Sequence, residues 1–400
     1  MRRTHEPNAD PRTTRGGWTR RVALPVLSTL SACTGLAMGA LFALSRVWTD
    51  AALWTQLLWW VPVLWWLAAG WGLLAGSWVL ARLGTRRRAD RARRALLGVC
   101  VAMGGFAVLW VWRAPRMFLG VDPPTPGESL RVLHWNIAAF TIDPDESARR
   151  IRRIGPNLAI LVNARLDGQR TDLHERTRAM LPGDARGAGH ELRIGAALIL
   201  SARPITRAGI AWLRADPGAR TRVTGAEGWV CVLELDRAGE EPLVVWVVDL
   251  PSEPTLSRQE TVRAAIDAAR RGPPKARTPE DGRWVWSNET SGLDSPDLII
   301  GDFNTPRGSS SLARFDGVAP SGRYLEGFDA AGWGRARSWI PTHPNPLVVA
   351  LNTLGDWHID LAFLDARHAF AGYALVDLGP SSHRAQVADL VLAPPDQTVP

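Results

Sequence analysis

Leu298-Ile299-Ile300-Gly301-Asp302-Phe303-Asn304-Thr305-Pro306 is the stretch on which the reading of the whole chain turns. An apolar run of buried-strand type stops at a glycine. A carboxylate and a carboxamide then follow two residues apart, on one side of an extended chain. Such a pair can hold an attacking water and steady a phosphoryl oxygen or a divalent ion. Taken by itself the stretch also reads as a turn capped by Asp302 and Asn304.

Outward from it, strand and helix patterns interleave. Strand-like runs fall at 130–137, 158–163, 194–201, 229–235, 243–249, 297–301, 357–364 and 372–378, and helical patterns near 145–154, 171–181 and 255–271. This alternation over ~265 residues predicts one large mixed α/β domain. Residues 272–296 carry four prolines and read as a surface insertion, which includes the sequon Asn288-Glu289-Thr290. The Pro- and Gly-rich stretch 114–129 reads as a stiff linker. No repeat, Walker loop or dinucleotide fingerprint is present, so any chemistry comes from strand ends.

Ahead of the linker the composition changes. Residues 1–114 hold 15 basic and 4 acidic side chains, and residues 115–400 hold 32 and 35. The formal charge of +8 therefore belongs to the first quarter, and the α/β part is net −3. A basic nucleic-acid binder is excluded as the overall class, because its charge belongs on the folded domain. Cys33 and Cys100 lie in apolar runs and Cys231 stands apart, so there is no disulfide framework or cysteine zinc site.

Three runs lack any charge: 22–45, 51–81 and 95–112. At about 1.5 Å per helical residue, each spans a hydrocarbon core of about 30 Å, the last only just. None alternates with polar residues as a soluble helix would. We expect a basic leader over 1–21 and three transmembrane helices within 22–113, at about 22–45, 56–81 and 95–113. Pro62 either kinks the second or marks its start. Ser31, Gly35 and Gly39, and Gly72 and Gly76, are small residues at four-residue spacing suited to close helix packing. Arginines crowd the leader and the loop 82–94, while the loop between the first two spans has only Arg46. The positive-inside rule then puts leader and second loop in the cytoplasm and everything after Arg113 outside. The spans carry no internal charge to mark a transport pathway.

The segment around Asp302 resembles the Gly-Asp-Phe-Asn motif of the endonuclease/exonuclease/phosphatase superfamily, and further pieces follow in that family's order. Leu133-His134-Trp135-Asn136-Ile137 is similar to its first motif, and 195–205 (GAALILSARPI) to an internal strand. Ser338-Trp339-Ile340-Pro341, His358-Ile359-Asp360-Leu361-Ala362-Phe363 and Ser381-Ser382-His383-Arg384 resemble its last elements. The resemblance covers 130–395 and implies a two-sheet α/β sandwich after the three-helix transmembrane module. It implies that Asp302 orients or deprotonates water, that Asn304 and Asn136 position the phosphate, and that His383, oriented by Asp360, stabilises the transition state.

The sequence also departs from that pattern. The family's metal-binding glutamate falls at Asn163, a phosphate-contacting histidine at Asp249, and the aspartate before the terminal histidine at Ser382. Mg²⁺ or Mn²⁺ held by Asp302 with Asn163 and Asp249 is the metal site these residues allow. Arg165 offers positive charge for the phosphate. Without a cation between them, Asp249 would repel a phosphodiester. The resemblance thus implies a membrane-anchored, extracytoplasmic, metal-assisted hydrolase of phosphate esters, its substrate suited to a lipid-linked phosphate; the net charge of −3 leaves no strong nucleic-acid footprint. The alternative is a degenerate member that binds a phosphorylated envelope ligand or partner without turnover.

Overall fold

A computed structural model describes residues 22–83, 98, 101, 102, 105, 128–137, 144–163, 190–213, 228–271, 276–280, 283–287, 293–332, 336–339, 357–379 and 381–393. They divide into two compact units, one within 1–47 and 61–114, the other formed by 48–60 together with 115–400.

In the first unit, helix α1 (Leu24–Trp48) is uncharged up to Arg46 and is long and apolar enough to cross a membrane, alone among the described residues in meeting that test. The second apolar run does not form one span over 56–81. It is divided into α2 (Leu53–Trp59), which belongs to the second unit, and α3 (Val63–Leu83). Pro62 explains the break: it has no N–H to donate and its ring bars the preceding turn, so the helix restarts immediately after it. The small-residue spacing does bring α1 and α3 together. Ser31 Oγ donates to Leu73 O at 2.7 Å, the Ser28 and Ser77 hydroxyls meet at 3.2 Å, and a Cβ on Gly35 would touch Leu74. Gly39 and Gly72 face open space instead. The leader and the linker up to residue 127 lie outside the described residues, as does the expected third span but for four isolated positions.

The second unit is a two-sheet sandwich. Its strands are β1 (Glu128–Asn136), β2 (Leu158–Val162), β3 (His190–Ile194), β4 (Ala197–Ser201), β5 (Ile205–Trp212), β6 (Trp229–Leu235), β7 (Leu243–Asp249), β8 (Ala276–Glu280), β9 (Arg283–Ser287), β10 (Leu298–Asp302), β11 (Tyr324–Glu326), β12 (Asp360–Asp365), β13 (Ala369–Val376) and β14 (Ala385–Leu392). Sheet A has the order β13-β14-β1-β2-β4-β3, and sheet B the order β11-β12-β10-β7-β6-β5-β8-β9.

Every strand expected from the sequence forms, with one changed in kind. The run 194–201 is a hairpin turning at Gly195, which takes φ +59°, so the strand is only its second half. The proline-rich insertion holds the edge hairpin β8–β9. β5 and β14 were not apparent from hydropathy because Arg207 and Asp389 interrupt them; Asp389 is matched by Arg131 at 2.6 Å on the neighbouring strand. Helix α4 (Pro144–Ile154) and α5 (Arg258–Arg270) match expectation, and the helix expected near 171–181 lies outside the described residues. Ser257 starts α5 by accepting from the Glu260 amide.

Side chains alternate with a period of two, and this fixes the layers. Val132 of β1, Ile160 of β2, Val247 of β7, Ile300 of β10 and Ala362 of β12 fill one cluster between the sheets. Their neighbours Leu133 and Leu161 join Ile151 of α4 in a second cluster, and Val248, Ile299 and Leu361 join a third with Val262 and Ile266 of α5 and with Phe315. Two residues beyond these core positions stand Asp249 and Asp302, with Asp360 paired to Asp302 at the start of antiparallel β12, and Asn136 ends β1 four residues past Val132.

Candidate active site

The ladder of sheet B sets the site. Asp302 pairs with Asp360 on one side and Asp249 on the other, and Asp249 pairs in turn with Trp229. Three carboxylates therefore lie in one row across adjacent strands. Gly301 permits that closeness, since a Cβ there would stand 1.9 Å from Val248 O. Sheet A supplies the facing side: Asn136 at the end of β1, Asn163 just past β2, and His383 just before β14.

Asp302 is almost fully buried. Its Oδ2 accepts from Asn136 Nδ2 at 2.9 Å and its Oδ1 from the Asn304 amide at 2.9 Å. Asn304 takes φ +44°, a left-handed conformation that asparagine tolerates, and its side-chain nitrogen donates to Leu250 O at 2.7 Å. Asn163, at φ +57°, donates to Asn136 Oδ1 at 3.1 Å. His383 Nδ1 lies 3.0 Å from Asp360 Oδ2 and 3.7 Å from Asp302 Oδ2.

Two serines hold this frame. Ser338 Oγ accepts from the amides of Ile359 and Asp360, and Ser381 Oγ donates to Asn136 O while accepting from the His383 amide. Both lie within the motifs at 338–341 and 381–384. No role is legible in a lone serine until the strand ends are adjacent.

The electrostatics follow from burial and from the row. Burial and the neighbouring Asp360 push Asp302 up to about 6. Burial and Asp302 push Asp249 up to about 8, against His383 and a hydrogen bond from Trp229. Burial would also raise Asp360, but the facing His383 outweighs it and holds that carboxyl below its ordinary value. For His383 burial favours the neutral ring, and Asp360 with Asp302 overcomes it, raising the imidazole to about 9. His383 and Asp360 thus form an ion pair at neutral pH, while Asp302 and Asp249 repel each other.

Asp302, Asp249 and His383 line a cleft of about 740 Å³ together with Trp60, Trp212, Trp229 and Trp339. Among the described residues its lining includes no lysine or arginine. Of the residues expected at the site, Asp302, Asn304, His383, Asn136, Asn163 and Asp249 meet there, and Asp360 stands behind His383. Arg165 lies outside the described residues. Ser382 is described and forms no wall of the cleft. Trp60 belongs by hydropathy to the second apolar run and Trp339 to a motif, while Trp212 and Trp229 stand at strand ends, where side chains reach a cleft.

No protein-family model matches the chain, and no curated protein matches it. Solved structures do. One is an endonuclease/exonuclease/phosphatase from Beutenbergia cavernae DSM 12333, 18% identical, covering 66% of this chain and 72% of that one at a TM-score of 0.40. Another is ANGEL2, a 2',3'-cyclic phosphatase in complex with adenosine-2',3'-vanadate, 10% identical over 67% of this chain and 97% of that one, TM-score 0.44. A third is the inositol polyphosphate 5-phosphatase domain of SPsynaptojanin in complex with inositol (1,4)-bisphosphate and calcium ion, 12% identical over 67% and 85%, TM-score 0.41. Likenesses of this size say nothing of substrate or activity.

The donor set fits a hard divalent cation. Carboxylates and carboxamides offer oxygen, which suits Mg²⁺ and Mn²⁺, and two mutually repelling carboxylates are what a cation relieves. Asp302, Asp360 and His383 bring ligand atoms within 4.8 Å of one another. The hydrogen bond from His383 Nδ1 engages Asp360, which leaves Asp302 as the carboxylate of that cluster that also lines the cleft. Asp249 lies outside that cluster, and both Asn163 and Asp249 line the same cleft.

Proposed function

We propose that this chain is a metal-assisted hydrolase of phosphate esters, of the endonuclease/exonuclease/phosphatase kind, anchored in a membrane with its α/β part extracytoplasmic. The observation that carries the reading is the row Asp360–Asp302–Asp249 facing Asn136 and His383 across one cleft. Asp302 orients water and takes its proton; a carboxyl near 6 is well matched to that task at neutral pH. Asn136 and Asn304, each oriented by an internal amide hydrogen bond, stand in the same wall to position a phosphoryl oxygen. His383, charged and held through Nδ1 by Asp360, presents its other nitrogen to the oxygen on which charge develops. Asp302, Asn163 and Asp249 are the residues to hold Mg²⁺ or Mn²⁺, which supplies Lewis acidity and offsets phosphate charge. In this reading three spans and the arginine-rich cytoplasmic segments fix the topology, Arg165 joins the phosphate contacts, and the substrate is a lipid-linked phosphate.

One observation favours a second reading. Asp249 stands beside Asp302, and the described lining offers no lysine or arginine, which suits a chain that binds a phosphorylated envelope ligand without turning it over. The two separate on the full chain in lipid nanodiscs, assayed with Mn²⁺ and Mg²⁺ on phosphomonoesters, phosphodiesters and lipid phosphates. Metal-dependent release of phosphate or alcohol that Asp302→Ala removes supports the hydrolase. Saturable binding of the same esters without product under every metal condition rejects it in favour of the binding protein.

A further inference from the structure

The stretch Trp48–Trp60 begins where α1 ends and includes the first residues of the second apolar run, yet it folds with the sheets. Its contacts are polar, and its Asp50, Thr55 and Gln56 are buried, which a passing loop would not show. Gln56 donates to Pro254 O and Leu256 O, both at 2.8 Å, and accepts from the Arg258 amide at 2.9 Å, so all three of these bonds hold the loop 250–258. Asp50, 1% exposed, accepts from the Ser311 amide at 3.1 Å and from the hydroxyls of Ser310 and Ser311. Trp59 Nε1 donates to Ser309 Oγ at 2.9 Å. The first of these loops carries Leu250, Pro251 and Ser252 into the cleft, and the second follows directly on Asn304. The segment ends at Trp60, whose carbonyl accepts from Trp357 Nε1 and whose ring has the buried Arg258 guanidinium 5.4 Å from its centre. That ring lines the cleft with the indoles of Trp212, Trp229 and Trp339.

We propose that this segment is a working part of the site: it fixes the two loops and, through Trp60, walls a subsite for an apolar or aromatic substituent on the phosphoryl group. The inference rests on the phosphoester reading and narrows it to substrates whose charge is confined to one phosphoryl group. Trp60, Trp212 and Trp339 are partly exposed and offer flat apolar area, and the described lining has no cation to hold a second anionic group.

The test uses phosphinates, which have no ester bond to cleave and so report binding alone. Diphenylphosphinate and dimethylphosphinate share one anionic head and differ only in the apolar groups. Each is titrated calorimetrically into the full chain in nanodiscs with Mn²⁺ present, against empty nanodiscs. We expect diphenylphosphinate to bind at least about tenfold more tightly, and Trp60→Ala to weaken it by about three- to tenfold while dimethylphosphinate binding is unchanged. Equal affinities, an equal loss for both ligands, or no binding of either overturns the subsite. The anchoring role is read separately by hydrogen exchange: Asp50→Ala should speed the Ser311 amide at least about tenfold with β10 amides unchanged, and an unaltered Ser311 rate overturns it. A phenyl preference in a chain that hydrolyses nothing supports the subsite and counts against the proposed reaction alone.

Discussion

The two sheets bring opposite chemistry to one cleft. The end of sheet B is three carboxylates in a row, Asp360, Asp302 and Asp249, placed by ladder register on adjacent strands. The end of sheet A is two carboxamides and an imidazole, Asn136, Asn163 and His383. Asn136 ends its strand, while the other two sit just outside theirs. The acidic side is thus rigid and self-repelling, and the other side neutral or cationic and set by turns and serine anchors. The charge balance of the cleft comes from the seam between the sheets, where His383 answers Asp360 and Asn136 answers Asp302.

The comparison breaks most directly at Asp302, which both sides contact. Asp302→Ala should lower any metal-dependent hydrolysis about 10³-fold or more, since it removes the base and a metal oxygen together. Rates measured with Mn²⁺ on the full chain check this, and a variant within tenfold of the parent would place the chemistry elsewhere. Asp360→Asn comes next. It should cost about 10²-fold in rate by leaving the imidazolium without its partner. In metal-free protein, His383 should titrate well below about 9, because Asp360 is the foremost group raising it. An unchanged His383 titration by NMR would show that the seam is not what charges the ring. Smaller again, Asp249→Asn should weaken Mn²⁺ by about tenfold if the row is a metal side, whereas tighter phosphate binding without metal would mark Asp249 as a mere repulsive neighbour.

What was legible in the sequence follows the same division. Asp302, Asp249, Asp360 and Asn136 stand beside apolar runs and were marked by motif order, but that Asp249 faces the site, level with Asp302, is visible only in the ladder of sheet B. Asn163 and His383 were found through motif order alone, since their turns have no periodicity to read. Ser338 and Ser381 act only through strand ends brought together from distant parts of the chain. The break at Trp60–Pro62 was half legible: proline marked it, but hydropathy assigns 56–60 to the membrane because tryptophan and leucine score alike in a bilayer and in a cleft wall. Gln56 was the one residue that spoke against it, a buried amide with partners on the far side of the sequence.

The smallest effect sharpens the comparison by setting two histidines against each other. His383 faces carboxylates and is raised to about 9, whereas His358 is buried, has Arg307 as a further unfavourable neighbour, and is pushed down to about 3. Its ring stands 5.3 Å from that of Phe328, edge to face. A histidine lowered in the fold is held neutral there, so the unfolded chain takes up the proton first as pH falls. The stability it permits is complete above about 6.5 and is lost progressively toward about 3. His358→Phe keeps an aromatic ring and cannot be protonated. Relative to the parent, it should therefore gain up to about 2 kcal/mol between pH 7 and pH 5 in urea unfolding of the full chain in detergent. A difference that stays flat with pH would mean that His358 takes its proton inside the fold, and the contrast between a charged and a neutral buried imidazole would be lost.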